Sequence, residues 1–145
     1  MKLMSKDFVD KGNIPSEFTC DGKNVSPKLS WKDVPEETKS FALAVTDPDA
    51  PGGNWIHWLV YDISKTSRKI ERGSLPSGAK EVENDFGRRT YGGPCPPSGT
   101  HRYFFKIYAL DTKLSLPVHT QKKDLEHAIT PHILAKGELV GLYKR

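Results

Sequence analysis

GGPCPPSGTHRYFFKIYAL, residues 92–110, joins a stiff loop to an apolar run with no spacer between them. Pro94, Pro96 and Pro97 bring no backbone N–H, so this loop cannot pair as strand. Gly92, Gly93 and Gly99 let another group approach the backbone closely. HRYFFKIYAL, 101–110, is rich in aromatic residues and largely apolar on both alternating faces. That pattern predicts a central strand covered on both sides. His101 and Tyr103, at i and i+2, share one face where the strand begins. The loop is then a rigid pocket wall, and these two side chains stand on its floor.

Outward from this strand, three more apolar runs read as strands: LSW (29–31), FALAVTD (41–47) and IHWLVYDI (56–63). Phe41, Leu43, Val45 and Asp47 fall on one face. Strict alternation places His57 with Leu59 and Tyr61, and Trp58 opposite with Ile56 and Val60. Pro and Gly are scattered between the runs as turn punctuation, which is how all-β domains read. One helix is expected over KKDLEHAI, capped by Thr120, with Asp124 and Glu126 in its early turns and an apolar stripe of Leu125, Ala128 and Ile129. Pro131 disfavours helical geometry at Thr130 and so stops it. HILAKGELVGLY then reads as a last strand, with Gly137 as its bulge.

The chain has 145 residues, the size of a single domain spanning 1–145. Net charge is +4, and the excess sits in residues 101–145, which carry 8 Lys/Arg against 4 Asp/Glu. The basic residues there are spread along the segment and form no dense stripe, so no nucleic-acid partner is expected. No run approaches the roughly 20 apolar residues of a membrane span. The N-terminus lacks the apolar region of a secretory signal, so a cytoplasmic protein is expected. Cys20 and Cys95 make no CxxC pair. In a reducing cytosol both are expected as thiols, a bridge between them being the open alternative.

Polar groups gather at strand ends. TDPDAP (46–51) ends one strand in Asp47 and a turn holding Asp49; NWIHWLVY (54–61) carries His57; GGPCPPSGTHRY carries His101 and Tyr103. SPKLSW (26–31) is expected to bring Ser26 and Trp31 to the same rim. A metal site has the right residue types but no recognisable zinc motif. A nucleophile site would pair Cys95 or Ser98 with His57 or His101, yet nothing visible lowers the thiol pKa of Cys95. An anion site uses every part: imidazolium, phenol and loop amides donate, and the aspartates orient and charge the histidines. On that reading no cofactor is needed, and affinity rises as pH falls through about 6.5, or higher where aspartates raise the histidines.

TDPDAP with HWLV, and GGPCPPSGTHRYFFKIYAL after them, resemble the two signatures of the phosphatidylethanolamine-binding protein family, also called the Raf kinase inhibitor protein family. CDGKNVSPKLSW and the ending ELVGLYKR look like its bacterial and archaeal branch. The resemblance implies a mainly β fold, a large antiparallel sheet packed on a smaller one with one or two short helices. It also implies a small pocket for phosphate or carboxylate groups. The pocket residues it implies are Asp47, His57, His101 and Tyr103, with Asp49, Gly93 and Pro94 at the rim. A cis peptide near Pro51 and a homodimer belong to the same expectation. The leading function is non-enzymatic binding of a small anion, such as a phospholipid head group or phosphopeptide. The alternatives are a protease- or kinase-inhibitory protein acting through the charged segment 64–90, and a hydrolase using Cys95 or a bound metal.

Overall fold

The computed structural model describes residues 1–145. Nine strands form: β1 (Lys2–Met4), β2 (Gly12–Asn13), β3 (Leu29–Lys32), β4 (Ser40–Asp47), β5 (Trp55–Ser64), β6 (Lys69–Ile70), β7 (Lys80–Val82), β8 (Thr100–Leu110) and β9 (Ile133–Lys144). One helix, α1 (Lys122–Ile129), lies between β8 and β9. The large sheet runs β2-β9-β8-β4-β5-β7, and a small one runs β1-β3-β6. All pairings are antiparallel except the two-residue β2, which lies parallel to β9. The expected fold class is therefore observed.

The two sheets bury one main core between them. Phe41, Leu43 and Val45 of β4, Trp58 and Val60 of β5, and Phe105 and Ile107 of β8 meet Leu3, Leu29, Trp31 and Ile70 from the small sheet. Phe41, Val60, Phe105 and Ile107 are fully buried, and each such side chain contributes roughly 1.5–3 kcal/mol by leaving water. On the outer face α1 lays Leu125 on Ala42, Leu59, Tyr61 and Leu110. β8 is central, hydrogen-bonded to β4 and β9 along its length. Its second face is covered only in part, because α1 spans two turns; Phe104, Lys106 and Tyr108 stay half-buried.

Four local expectations change. Thr120 does not cap α1: its hydroxyl donates back to the Pro117 carbonyl at 2.6 Å, while the Gln121 amide is taken by the Asp124 carboxylate at 3.0 Å. Thr130 keeps helical dihedrals, and Pro131 sits in a following 3-10 turn over Thr130–His132, where a first-turn position needs no N–H. Gly137 pairs in register with Ile107, and the irregularity falls instead where Leu110 meets Ile133. Its missing side chain has another reason, since a Cβ there would stand 3.2 Å from the Leu3 amide nitrogen. Trp31 and Ser26 are buried away from the presumed rim, Trp31 edge-on to Phe41 and Ser26 beside a cavity with Trp58 and Tyr91.

Candidate functional site

Three strand ends converge. β4 ends in Asp47, β5 begins with Trp55, Ile56 and His57, and β8 begins with His101 and Tyr103. Antiparallel pairing of β4 with both neighbours forces this meeting, because its C-terminal end abuts the N-terminal ends of β5 and β8. A cavity of about 190 Å³ opens there. Asp47, His57, His101 and Tyr103 line it, with Ala50 and Pro51 on one side, Cys95, Pro96 and Pro97 on another, and Trp55 and Phe86 on a third.

Alternation alone would have turned His57 away from this cavity. The register shifts there: Val45 pairs with Trp58 and Thr46 with Ile56, so His57 is the extra residue of a β-bulge. A bulge re-aims the side chain it carries. Ile56 packs toward α1, whereas Trp58 joins the core between the sheets and His57 lies edge-on to Tyr103 at 5.2 Å. The strand-face expectation for His57 is thus wrong, and the bulge is the physical reason that the residue reaches the site.

Both imidazoles have one nitrogen committed. His57 Nδ1 lies 2.7 Å from the Gly92 carbonyl, which can only accept, so Nδ1 carries the hydrogen. His101 Nδ1 lies 2.7 Å from Asp47 Oδ2, and Asp47 Oδ1 accepts the Asp49 amide at 2.8 Å. Neither Nε2 has a partner in the chain. The Tyr103 hydroxyl is buried and unpartnered, with the Cys95 backbone approaching it outside hydrogen-bonding geometry. Burial drives the Tyr103 pKa well above the usual phenol value, and the Asp47 and Asp49 charges add to it. Burial also pushes His57 below 6.5, against the opposing pull of the Gly92 carbonyl and the Asp47 charge. The expectation that neighbouring aspartates raise the histidines therefore fails at His57, where desolvation wins.

Three expected rim residues do other work. Asp49 grips Arg102 at 2.9 and 2.8 Å and accepts its amide at 3.0 Å, which holds the Asp49 carboxyl down at about 2 and pins the turn after β4 to the start of β8. Gly93 donates its amide to the Asn24 side chain at 2.8 Å, and a Cβ on it would stand 2.3 Å from the Phe18 carbonyl oxygen. Pro94 accepts the Cys20 amide at 3.1 Å. Together they dock the segment 18–24 onto the back of the pocket wall. Cys20 and Cys95 then form a disulfide across that contact, so the expected thiols are absent and Cys95 has no nucleophile to offer. No peptide bond is cis, at Pro51 or elsewhere.

Trp55 and Phe86 were not anticipated. Phe86 lies edge-on to both Trp55 and His57, at 5.5 and 5.2 Å. Buried Asn84 places it, donating to the His57 and Thr90 carbonyls and accepting the Phe86 and Arg88 amides. The only sequence signal was NDFG, a turn-forming string. A larger cavity of about 490 Å³ lies under α1 on the other face of the sheet. Three lysines, Glu126, Tyr108 and a mix of aliphatic and small polar side chains line it, without an imidazole or an orphaned polar atom. No three His, Cys, Asp or Glu side chains anywhere in the chain are grouped to hold a metal.

The sequence profile of a family described as phosphatidylethanolamine-binding protein matches residues 4–144. A UPF0098 protein of Methanothermobacter thermautotrophicus is 49% identical over 150 residues, spanning all of this chain and 99% of that one. A UPF0098 protein of Aquifex aeolicus is 49% identical over 152 residues, spanning all of this chain and 89% of that one. The crystal structure of a phosphatidylethanolamine-binding protein homologue from Chlamydia trachomatis superposes with a TM-score of 0.94 at 40% identity, over 99% of this chain and 97% of that one. E. coli YbcL, described as a member of the mammalian family, superposes with 0.92 at 34% identity, over 99% and 98%.

Proposed function

The chain belongs to the phosphatidylethanolamine-binding protein family, and from that premise we propose that the cavity at the ends of β4, β5 and β8 binds a small oxyanion without chemically altering it. The observation that carries this reading is the buried, unpartnered Tyr103 hydroxyl. An unmet polar group of this kind costs roughly 1–3 kcal/mol, and a ligand oxygen removes the cost. The two imidazoles flank the same ring, their centroids 5.2 and 6.5 Å from it. Both imidazoles are held through Nδ1, one by the Gly92 carbonyl and one by Asp47, an arrangement that suits holding an anion.

The size of the cavity fits a phosphate-sized group and leaves any larger substituent at the Trp55–Phe86 edge, where both rings are more than a third exposed. Calorimetric titration with inorganic phosphate at pH 6 should show one site per chain. His101→Ala should weaken it about 10-fold or more, the usual loss for a hydrogen bond to a charged partner. A titration that stays flat to tens of millimolar phosphate would overturn the reading.

A further inference from the structure

A cavity of about 290 Å³ opens at the free edge of the sandwich, where β7 of the large sheet faces the segments 24–26 and 73–75 that flank the small one. It shares no lining residue with the oxyanion cavity. We infer that it is a second, separate binding site, for the ammonium group of a small primary amine. Glu81 is the only charged side chain of its lining, in a chain whose net charge is +4. It is half-buried and makes no ion pair. Strand alternation sends its neighbour Lys80 to the opposite face of β7, where Nζ lies 3.9 Å from Asp62. Glu81 Oε2 accepts the Trp58 indole N–H at 2.7 Å, and Oε1 has no partner in the chain. A partly desolvated carboxylate without a counter-charge is unfavourable, and a cation beside it removes that cost.

The other groups of the lining select among cations. Ser26 is 3% exposed, and its hydroxyl has no hydrogen-bond partner in the chain, although buried hydroxyls are ordinarily paired. Ser74 and Thr90 add hydroxyls at the exposed mouth. With Glu81 Oε1 these oxygens are acceptors, and a primary ammonium group is all donor. Trp58 and Tyr91, their ring centroids 5.6 Å apart at 84°, give the cavity an aromatic wall, a surface that attracts a cation. Val25 and Leu75 offer apolar surface to a short alkyl chain. A hard metal ion suits the lining less, because it takes several oxygen ligands and Glu81 is the only carboxylate. A quaternary ammonium ion has no N–H and leaves the Ser26 oxygen unpaired.

The experiment is an NMR titration of the isotope-labelled chain that follows the Trp58 indole N–H. That hydrogen is bonded to the Glu81 carboxylate, so an ammonium ion arriving there must shift its resonance. The probes are n-butylammonium and tetramethylammonium chlorides at constant ionic strength, and n-butanol as the neutral mimic. n-Butylammonium should shift the resonance saturably at about millimolar concentration, as suits so small a ligand. Tetramethylammonium and n-butanol should be at least about 10-fold weaker. The Trp55 indole, at the oxyanion cavity, should stay in place. Glu81→Gln keeps an acceptor for Trp58 and loses the charge, and it should weaken n-butylammonium about 10-fold or more. Should that variant not fold, Ser26→Ala should weaken it about 3-fold or more, and the three probes decide on the wild type. Tetramethylammonium or n-butanol acting as strongly as n-butylammonium would overturn the assignment to a primary ammonium group. No saturable shift with any probe would overturn the site itself, and phosphate binding at the other cavity would stand or fall separately.

Discussion

At Tyr103 one atom ties stability to function. The ring is an asset to the core, fully buried beside Phe105 and Ile107. The hydroxyl, buried without a partner in the chain, is a cost to it. Tyr103→Phe should leave thermal stability without ligand unchanged or raise it by up to about 2 kcal/mol, and it should weaken phosphate about 10-fold. Thermal unfolding with and without phosphate checks both at once; a clear drop without ligand would mean that the hydroxyl has a partner after all. His57 makes a pH prediction. Its folded-state pKa lies below the unfolded value of about 6.5. Its contribution to stability is therefore complete above 6.5 and is lost as pH falls below it, because the unfolded chain takes up a proton that the folded chain resists. Urea unfolding at pH 5 and 7.5 should show this slope in the wild type, and His57→Gln should reduce it.

Among the elements, the loop ahead of β8 does the most to shape the pocket, and it does so through its back surface. Gly93 is where the segment 18–24 presses against it, and the space for a Cβ is already filled by the Phe18 carbonyl and the Thr19 Cα. Gly93→Ala should destabilise the fold by roughly 1–3 kcal/mol, the range for overpacking, as read from denaturant midpoints. Gly99→Ala meets no neighbouring atoms but has φ at +72°, so it should cost only about 1 kcal/mol of backbone strain. Similar losses at both positions would argue against the docking role of Gly93. The bulge in β5 is the other decisive local feature. It breaks the alternation at His57, and by doing so supplies the site with a second imidazole.

Across the whole molecule, the Cys20–Cys95 disulfide closes a separation of 75 residues between the N-terminal segment and the pocket wall. Chain-entropy arithmetic puts such a closure at about 4.5 kcal/mol. Replacing both cysteines by serine should lower the denaturation midpoint substantially, and dithiol treatment of the wild type should produce the same shift. No shift in either would mean that packing of segment 18–24, through Gly93, Pro94 and the Tyr91 hydroxyl on the Phe18 carbonyl at 2.7 Å, already secures the contact.

Much of this was legible from residue order alone. Period-two runs gave β3, β4, β5, β8 and β9, and the 3.6-residue stripe gave α1, because side-chain periodicity follows directly from backbone geometry. That Asp47, His57, His101 and Tyr103 would gather was legible too, and they line one cavity, since unusual polar residues at the ends of apolar strands have few reasons to be there. What lay beyond reach was long-range. The bulge at His57 depends on how β5 registers against β4, the roles of Asp49, Gly93 and Pro94 depend on Arg102 and Asn24, and the cysteine pairing depends on a contact between segments 75 residues apart. Local propensity says which face a side chain would take in an ideal strand, and only tertiary packing selects the register, the partner and the burial that decide which proton a histidine holds.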